Sequence, residues 1–513
     1  MAKDKFYITT AIPYANADPH IGHALEFLYT DVMARYQRLL GKDVYFLTGT
    51  DEHGQKMLHT AKEAGVSVEK FAAEKSAKYQ LLADVWNITN DDFIRTTEDR
   101  HIAGAQDFWT KSMESGDIYK KTYTGLYCVG CEAFKLDKDL VDGKCPDHKT
   151  VPEMVSEENY FFRLSKFQKP LEMLFKKHKD FVYPESRFNE AINMLKKGLE
   201  DISISRTKEK LSWGVPVPGD DKQVMYVWFD ALTNYVTALG WGGKDKKLFK
   251  KYWPADAHVI GKEINRFHSL LWPAMLLSAG VEIPKQIAVH GWITVDGQKM
   301  SKTIGNVIDP LDLTRKYPLE AVRYFLMREI NFDNDGDFSY AKFGERYQAD
   351  LANGLGNLTN RVLVMVEKYC NSVIPKSKSS FKDLIKNTTD TEAGYNKYMV
   401  EFGFGHALEK IWELISFCDG IITKSQPWAM MKAGKEKEVY NLLADLSEAL
   451  RHIAVMIWPV MPETAEKLFT QLGLNVADEL AKPLSKLQKW GDTLAGNKIA
   501  KPEQLFPRLE INN

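Results

Sequence analysis

The sequence predicts an α/β protein: a parallel sheet with crossover helices, interrupted by one insert and followed by a wholly helical C-terminal part. Three observations predict it. Short runs rich in aromatic and β-branched residues alternate with helical patterns over the first 120 residues and again over 225–295, and such alternation builds parallel sheets. The stretch between, 118–224, is rich in Lys, Asp, Pro and Gly and holds three of the five cysteines. From about 351 onward, strand patterns give way to apolar residues at helical spacing.

Taken in order, KFYITTAI and DVYFLTGT are short buried strands. Between them, 19–40 reads as one helix. Asp18 suits its N-cap, Pro19 its first residue and Gly41 its stop, and Ile21, Leu25, Leu28, Val32, Tyr36 and Leu39 fall at spacings of three or four. Strand and helix signals resume at QVMYVWFDALTNYV and run through HVIGKEINRFHSLLWPAMLLSAG to KQIAVHGWITV. LANGLGNLTNRVLVMVEKYC, FGHALEKIWELISFC and EVYNLLADLSEALRHIAVMIW are helical, and 372–390 reads as a polar connector. The chain has no internal repeat and no low-complexity block.

Composition narrows the function classes. Apolar residues at 44% and charged residues at 27% of 513 are an ordinary globular balance. No run of about 18 apolar residues occurs, and MAKDKFYITTAIPY shows neither a signal core nor an Arg-rich transit segment. No membrane association is expected. Five cysteines in so long a chain do not make a disulfide framework, so a cytoplasmic setting is expected. The 68 basic and 69 acidic residues nearly cancel, and 351–513 carries 20 and 19 of them. Bulk charge therefore draws no polyanion, and any nucleic acid must be held by local patches and shape.

Four constellations carry chemistry. In Asp18-Pro19-His20-Ile21-Gly22-His23, two imidazoles three apart sit at a helix start, where free N–H groups and the dipole favour phosphate. A metal-binding or surface histidine pair is the alternative. In Asp296-Gly297-Gln298-Lys299-Met300-Ser301-Lys302-Thr303, Asp-Gly marks a tight turn and the two lysines suit a loop closing on polyphosphate, or simply a solvated loop. Cys128-x2-Cys131, then thirteen residues, then Cys145-x2-His148 has the spacing of a closed tetrahedral zinc site, with a redox pair as rival for the first half. Asn357 and Arg361 share a helix face, and Trp428 follows Pro427 at a helix break; these residue types read and stack unpaired bases, but also cap helices and fill cores.

His-Ile-Gly-His followed some 280 residues later by Lys-Met-Ser-Lys resembles the paired signatures of class I aminoacyl-tRNA synthetases. Ala11-Ile12-Pro13-Tyr14, Asp51-Glu52-His53-Gly54, Trp213-Gly214-Val215-Pro216, Tyr226-Val227-Trp228-Phe229-Asp230, Gly261-Lys262-Glu263-Ile264, His268-Ser269-Leu270-Leu271-Trp272-Pro273 and Asn357-Leu358-Thr359-Asn360-Arg361 narrow the resemblance to the methionyl-tRNA synthetase family. The blocks run in family order over nearly the whole chain. Leu232 departs from the pattern, standing where many members carry proline.

The resemblance implies a Rossmann-like catalytic sheet in two halves, 1–117 and 225–295, split by a zinc-bearing connective insert over 118–224. The lysine loop and a stem-contact region would occupy 296–350, and a helical bundle binding the anticodon 351–513. It implies ATP at His20, Gly22, His23, Glu263, Lys299 and Lys302, with both histidines and both lysines catalytic, and methionine at Ile12, Tyr14, Asp51, Trp228, Ala231, Tyr235, Ile264, His268 and Trp272. Asp51 suits the substrate ammonium, the aromatic rings suit a thioether, and Tyr14 and His268 are expected to offer hydrogens to its sulfur. Anticodon bases would meet Asn357, Arg361 and Trp428, and one structural zinc per chain would sit on Cys128, Cys131, Cys145 and His148. Further expectations are Mg²⁺ with ATP, initiator and elongator methionine tRNAs as partners, and a monomer.

Overall fold

The computed structural model describes residues 3–128, 133–135, 137–146, 149–300, 305–376, 381–491 and 494–508. They form two compact units, one of Lys5–Thr30 and Tyr45–His290, the other of Met1–Asp4, Asp31–Val44 and Gly291–Asn513.

The first unit is built on six strands: β1 (Lys5–Thr10), β2 (Asp43–Thr50), β3 (Asp92–Arg95), β4 (Val182–Tyr183), β5 (Ala257–Gly261) and β6 (Ile287–His290). Their order across the sheet is β3-β2-β1-β5-β6-β4. Parallel pairing joins β2 to β3, β1 to β5, β5 to β6 and β6 to β4, with Ile8 opposite Ala257 and Val259 opposite Ala288. Burial on both faces explains why β5 and β6, every residue of which is buried, are apolar apart from His258 and His290. From β1 the chain winds outward to β2 and β3 on one side, while β5 and β6 lie on the other. The strand order therefore reverses between β1 and β5.

Strand β4 comes from within 118–224, so the range read as an insert also supplies an edge strand to the parallel sheet. The other strands of that range pair antiparallel. Ile118–Cys128 pairs with Glu153–Phe162, flanked by Ala133–Lys135 and Ile202–Ser203. Phe162, Phe167, Phe181 and Phe188 join the same core as Phe108, Phe229 and Trp272.

Helix α1 (Ile21–Leu39) begins two residues later than the sequence predicts, and Asp18 does not cap it. Lys75 and Lys78 each reach an Asp18 oxygen at 2.6 Å instead. In the second unit, the helices α2 (Asn357–Cys370), α3 (Lys382–Val400), α4 (Phe404–Ser425), α5 (Glu436–Ile457) and α6 (Pro462–Gln471) form the bundle. The predicted connector 372–390 is a correction, because α3 takes up its second half. The buried stripe of α3 includes Thr388, Thr391 and Glu392 beside Leu384, Tyr395 and Met399, so its apolar period is broken by polar residues: the Thr388 hydroxyl donates to the Leu384 carbonyl one turn back, and Glu392 meets His452 of α5.

Candidate active site

In an open parallel sheet, ligands settle where the strand order reverses, at the carboxyl ends of the strands. Here that place is filled by three segments. Ala11–Tyr14 follows β1, Asp51 follows β2 and Glu263–His268 follows β5. They wall a cavity of about 490 Å³ together with the helix Val227–Ala231 and Tyr235. The walls bring together Ile12, Tyr14, His23, Asp51, Trp228, Ala231, Tyr235, Glu263, Ile264 and His268 from the predicted set. Leu232, the departure from the family pattern, lies on the same wall. Trp272 does not. It is fully buried behind the cavity, with its ring 5.8 Å from Tyr235 and its indole N–H 3.3 Å from His258 Nε2.

The start of α1 is a reciprocal cap made by two histidines. The Gly22 N–H donates to His20 Nδ1, and the His20 N–H donates to His23 Nδ1, both at 3.1 Å. This is the geometry of a capping box, with imidazoles in place of the usual hydroxyl and carboxylate. His20, not Asp18, is the N-cap, and the Ala24 N–H closes the first turn on its carbonyl. Each Nδ1 accepts a bond, so each ring carries its proton on Nε2. The rings stack at 3.9 Å. Burial and the neighbouring His20 push the His23 imidazole well below the ordinary histidine value. The helix start thus presents neutral Nε2–H donors beside its own free N–H groups.

Deeper in the cavity, His268 Nδ1 is 3.1 Å from the Ile264 carbonyl, which can only accept. The ring proton is therefore on Nδ1, and Nε2 accepts from the Tyr235 hydroxyl at 2.7 Å. Burial pulls His268 down to about 4 and pushes Tyr235 up. His268 has no hydrogen left for a thioether, which corrects the sequence expectation. The His268 turn is itself irregular: Phe267–Leu271 is a π-helical stretch ahead of the α-helix Trp272–Ser278. Trp228 stacks on Phe267 at 3.8 Å and nearly parallel.

Asp51 is held by its backbone, its N–H on the Pro13 carbonyl and its own carbonyl on the Ala15 N–H. The next residue, Glu52, turns inward. Arg95 grips its carboxylate at 2.7 and 2.9 Å, and the Thr50 and Thr97 hydroxyls complete it. The Trp213 indole donates to the Glu52 carbonyl at 2.6 Å. A bidentate arginine clamp on a buried carboxylate fixes the segment that carries Asp51. The cavity also contains Glu26, Lys56, Arg266 and Phe267, which sequence reasoning did not single out. Glu26 falls one helical turn after His23 on α1, so that signal was available; Lys56 and Arg266 carried none.

The second unit holds the other predicted residues. Asp296 and Gly297 have φ of 49° and 75°, the left-handed pair of a tight hairpin turn, joining Ile293–Val295 to Gln298–Lys299. Lys299 lies in that strand, its ammonium 4.2 Å from the Trp292 ring centre. Lys302 lies outside the described residues. Asn357 is exposed on the first turn of α2, and Arg361 pairs with Asp419 of α4 at 2.6 Å. Trp428 follows the end of α4 and is 43% exposed, which removes the core-packing alternative. Among the predicted zinc ligands, Cys128 and Cys145 are both buried. Cys131 and His148 lie outside the described residues, and among those described no group of three His, Cys, Asp or Glu side chains is arranged to hold a metal ion. Asp142 and Gly143, at φ 52° and 72°, form the tight turn that leads into Cys145.

The model of the tRNA synthetases class I (M) family matches residues 6–151 and 138–363. The methionine–tRNA ligase of Thermotoga maritima is 43% identical over 99% of this chain and 81% of its own length. That of Brucella suis is 43% identical over 99% and 98%. The structure of Mycobacterium tuberculosis methionyl-tRNA synthetase in complex with methionyl-adenylate superposes with a TM-score of 0.93 at 39% identity, covering 98% of this chain and all of that one.

Proposed function

The chain belongs to the methionyl-tRNA synthetases of class I, ligases that activate methionine with ATP and pass it to tRNA, and from that premise we propose how its own residues divide the work. Methionine lies in the cavity, its ammonium on Asp51 and its side chain among Ile12, Tyr14, Trp228, Ala231, Tyr235, Ile264 and His268. The walls there are neutral, which suits a thioether and repels a charged side chain. Trp272 supports Tyr235 from behind and touches no substrate. ATP lies along the start of α1, with Gly22 and Glu263 toward the nucleoside.

The methionine carboxylate attacks the α-phosphorus, the bond to the bridging oxygen breaks, and pyrophosphate leaves. Charge gathering on the phosphate oxygens meets the Nε2–H donors of His20 and His23 and the ammonium groups of Lys299 and Lys302. Mg²⁺ accompanies ATP and offsets its charge. The reaction needs placement and preorganised donors more than a dedicated base. A terminal ribose hydroxyl of the tRNA, the 2′-hydroxyl, then attacks the methionyl carbonyl, and AMP leaves. The observation that carries this reading is the histidine cap, whose two proton-bearing nitrogens are fixed by the hydrogen bonds at the other side of each ring.

Asn357, Arg361 and Trp428 read the methionine anticodon, in initiator and elongator tRNAs alike. Arg361 reaches a base edge while anchored on Asp419. A structural zinc would be held by Cys128, Cys131, Cys145 and His148. Two buried cysteines, one entered through a left-handed turn, are the soft donors such a site uses, and with four protein ligands it has no open position for catalysis. The reading includes a monomer in the cytoplasm. Among the described residues no helix is long and apolar enough to cross a membrane. ATP–pyrophosphate exchange with a panel of amino acids tests the whole reading: methionine alone should support fast exchange, and exchange driven by leucine, isoleucine, valine or cysteine instead would refute it.

A further inference from the structure

Four buried side chains form one hydrogen-bonded chain beside the cavity, and none of them lines it. His53 Nδ1 is 2.7 Å from Asp230 Oδ2. Asp230 Oδ1 is 2.7 Å from His101 Nε2. His101 Nδ1 is 2.9 Å from the Thr237 hydroxyl. His53 is 4% exposed and the other three not at all, so water cannot replace a lost partner. Burial alone would raise the Asp230 carboxyl, but the two histidines outweigh it and hold it at about 2. A carboxylate has no proton to give, so both facing ring nitrogens donate.

Each end of the chain, and its centre, touches a segment that carries a cavity residue. His53 lies two residues beyond Asp51, and its N–H reaches back 3.4 Å to Asp51 Oδ1. Asp230 sits on the helix Val227–Ala231 between Trp228 and Ala231. Thr237 sits on the helix Asn234–Thr237, which carries Tyr235. The helix Asp99–Glu114 supplies His101 and so ties the last two together. Three walls from distant parts of the sequence are thereby fixed relative to one another by one carboxylate.

We infer that the chain from His53 through Asp230 and His101 to Thr237 sets the spacing of the amino-acid site, with Asp230 and His53 as positioning residues for methionine. Loss of the His53–Asp230 bond lets the His53 peptide turn, withdraws its N–H from Asp51, and frees Trp228 from its register against Asp51. Methionine binding then weakens, while the ATP seat at the start of α1, which the chain does not touch, is spared. This rests on the proposed methionine cavity and adds to it residues that no ligand contacts.

The test uses the purified full chain in ATP–pyrophosphate exchange. Wild-type exchange dependent on methionine must come first, since its absence refutes the reading of the cavity and not the network. For Asp230→Asn and His53→Ala, the KM for methionine should rise about tenfold or more while the KM for ATP stays within about twofold. His53→Asn, whose amide N–H stands where Nδ1–H stood, should remain within about threefold of wild type. The inference is overturned if both KM values rise together, if the methionine KM stays within about twofold, or if His53→Asn does no better than His53→Ala. Should His53→Ala fail to fold, the isosteric Asp230→Asn carries the same measurement; failure of that variant to fold would make the network structural only and overturn the inference as well.

Discussion

At the cavity, buried histidines are kept neutral; in the helical region, buried cations are kept charged. His23 and His268, which line the cavity, lose charge to burial. In the other unit, the fully buried Arg323 guanidinium meets Asp31 at 2.7 Å and donates to the Val460 and Pro459 carbonyls. His452 bonds Glu392 at 2.6 Å, stacks on Trp490, and sits beside the Arg451–Glu448 pair. The difference follows from what each place must do. A site that receives a triphosphate and a zwitterion gains from neutral donors, because the ligand brings the charge and full cations would need permanent partners. The interior of a bundle, which no ligand enters, can satisfy its buried charges once, on folding.

The comparison can be broken most severely at Arg323. Arg323→Met removes the cation from a buried pair, which typically costs about 3–5 kcal/mol of stability. A denaturant titration showing a loss under about 1 kcal/mol would mean that Arg35, whose Nε lies 2.9 Å from the same Asp31 oxygen, carries the pair alone. Next in size is the cavity. His23→Ala removes one preorganised donor, worth about 2.7–4 kcal/mol of barrier, and should slow methionyl-adenylate formation by about 10²–10³. Rapid-quench single turnovers check this; an unchanged rate would leave the histidine cap with a folding role only.

A smaller effect is expected at Trp428. Base–aromatic stacking is worth roughly 1–3 kcal/mol, so Trp428→Ala should cut charging of methionine tRNA about 5- to 150-fold. Exchange and melting temperature should hardly move, because the ring is exposed. A parallel loss in exchange would remove it from tRNA recognition. The smallest effect is in pH dependence. For His452, burial pulls the imidazole down, but Glu392 and Glu448 outweigh it and hold it above its ordinary 6.5. A raised folded value contributes stability that is complete below the unfolded value and lost as pH rises through the folded one. The melting-temperature gap between wild type and His452→Gln should therefore shrink as pH climbs from about 6 to 9. A gap that widens would show His452 neutral in the fold, like the cavity histidines.

The sequence by itself determined what depends on neighbours along the chain. β2 runs over the eight residues its β-branched and aromatic pattern marks, the Asp296-Gly297 turn is left-handed as Asp-Gly predicts, and the helical run after 351 is there because side-chain periodicity is local. The paired histidine and lysine signatures were legible for the same reason, as fixed spacings of a few residues. Tertiary structure alone decided the rest. His20 took the cap from Asp18 because Lys75 and Lys78, on a separate helix, claim the aspartate. Trp272 withdrew behind Tyr235, and α3 formed on a buried stripe whose Glu392 finds its partner, His452, only in the folded bundle. Which ring nitrogen of His268 holds the proton was set by the Ile264 carbonyl and by Tyr235, thirty-three residues away. The chain through Asp230 joins residues 53, 101, 230 and 237. Hydrogen-bond partners at that separation depend on how the backbone closes in space, and no period or spacing in the sequence encodes that closure.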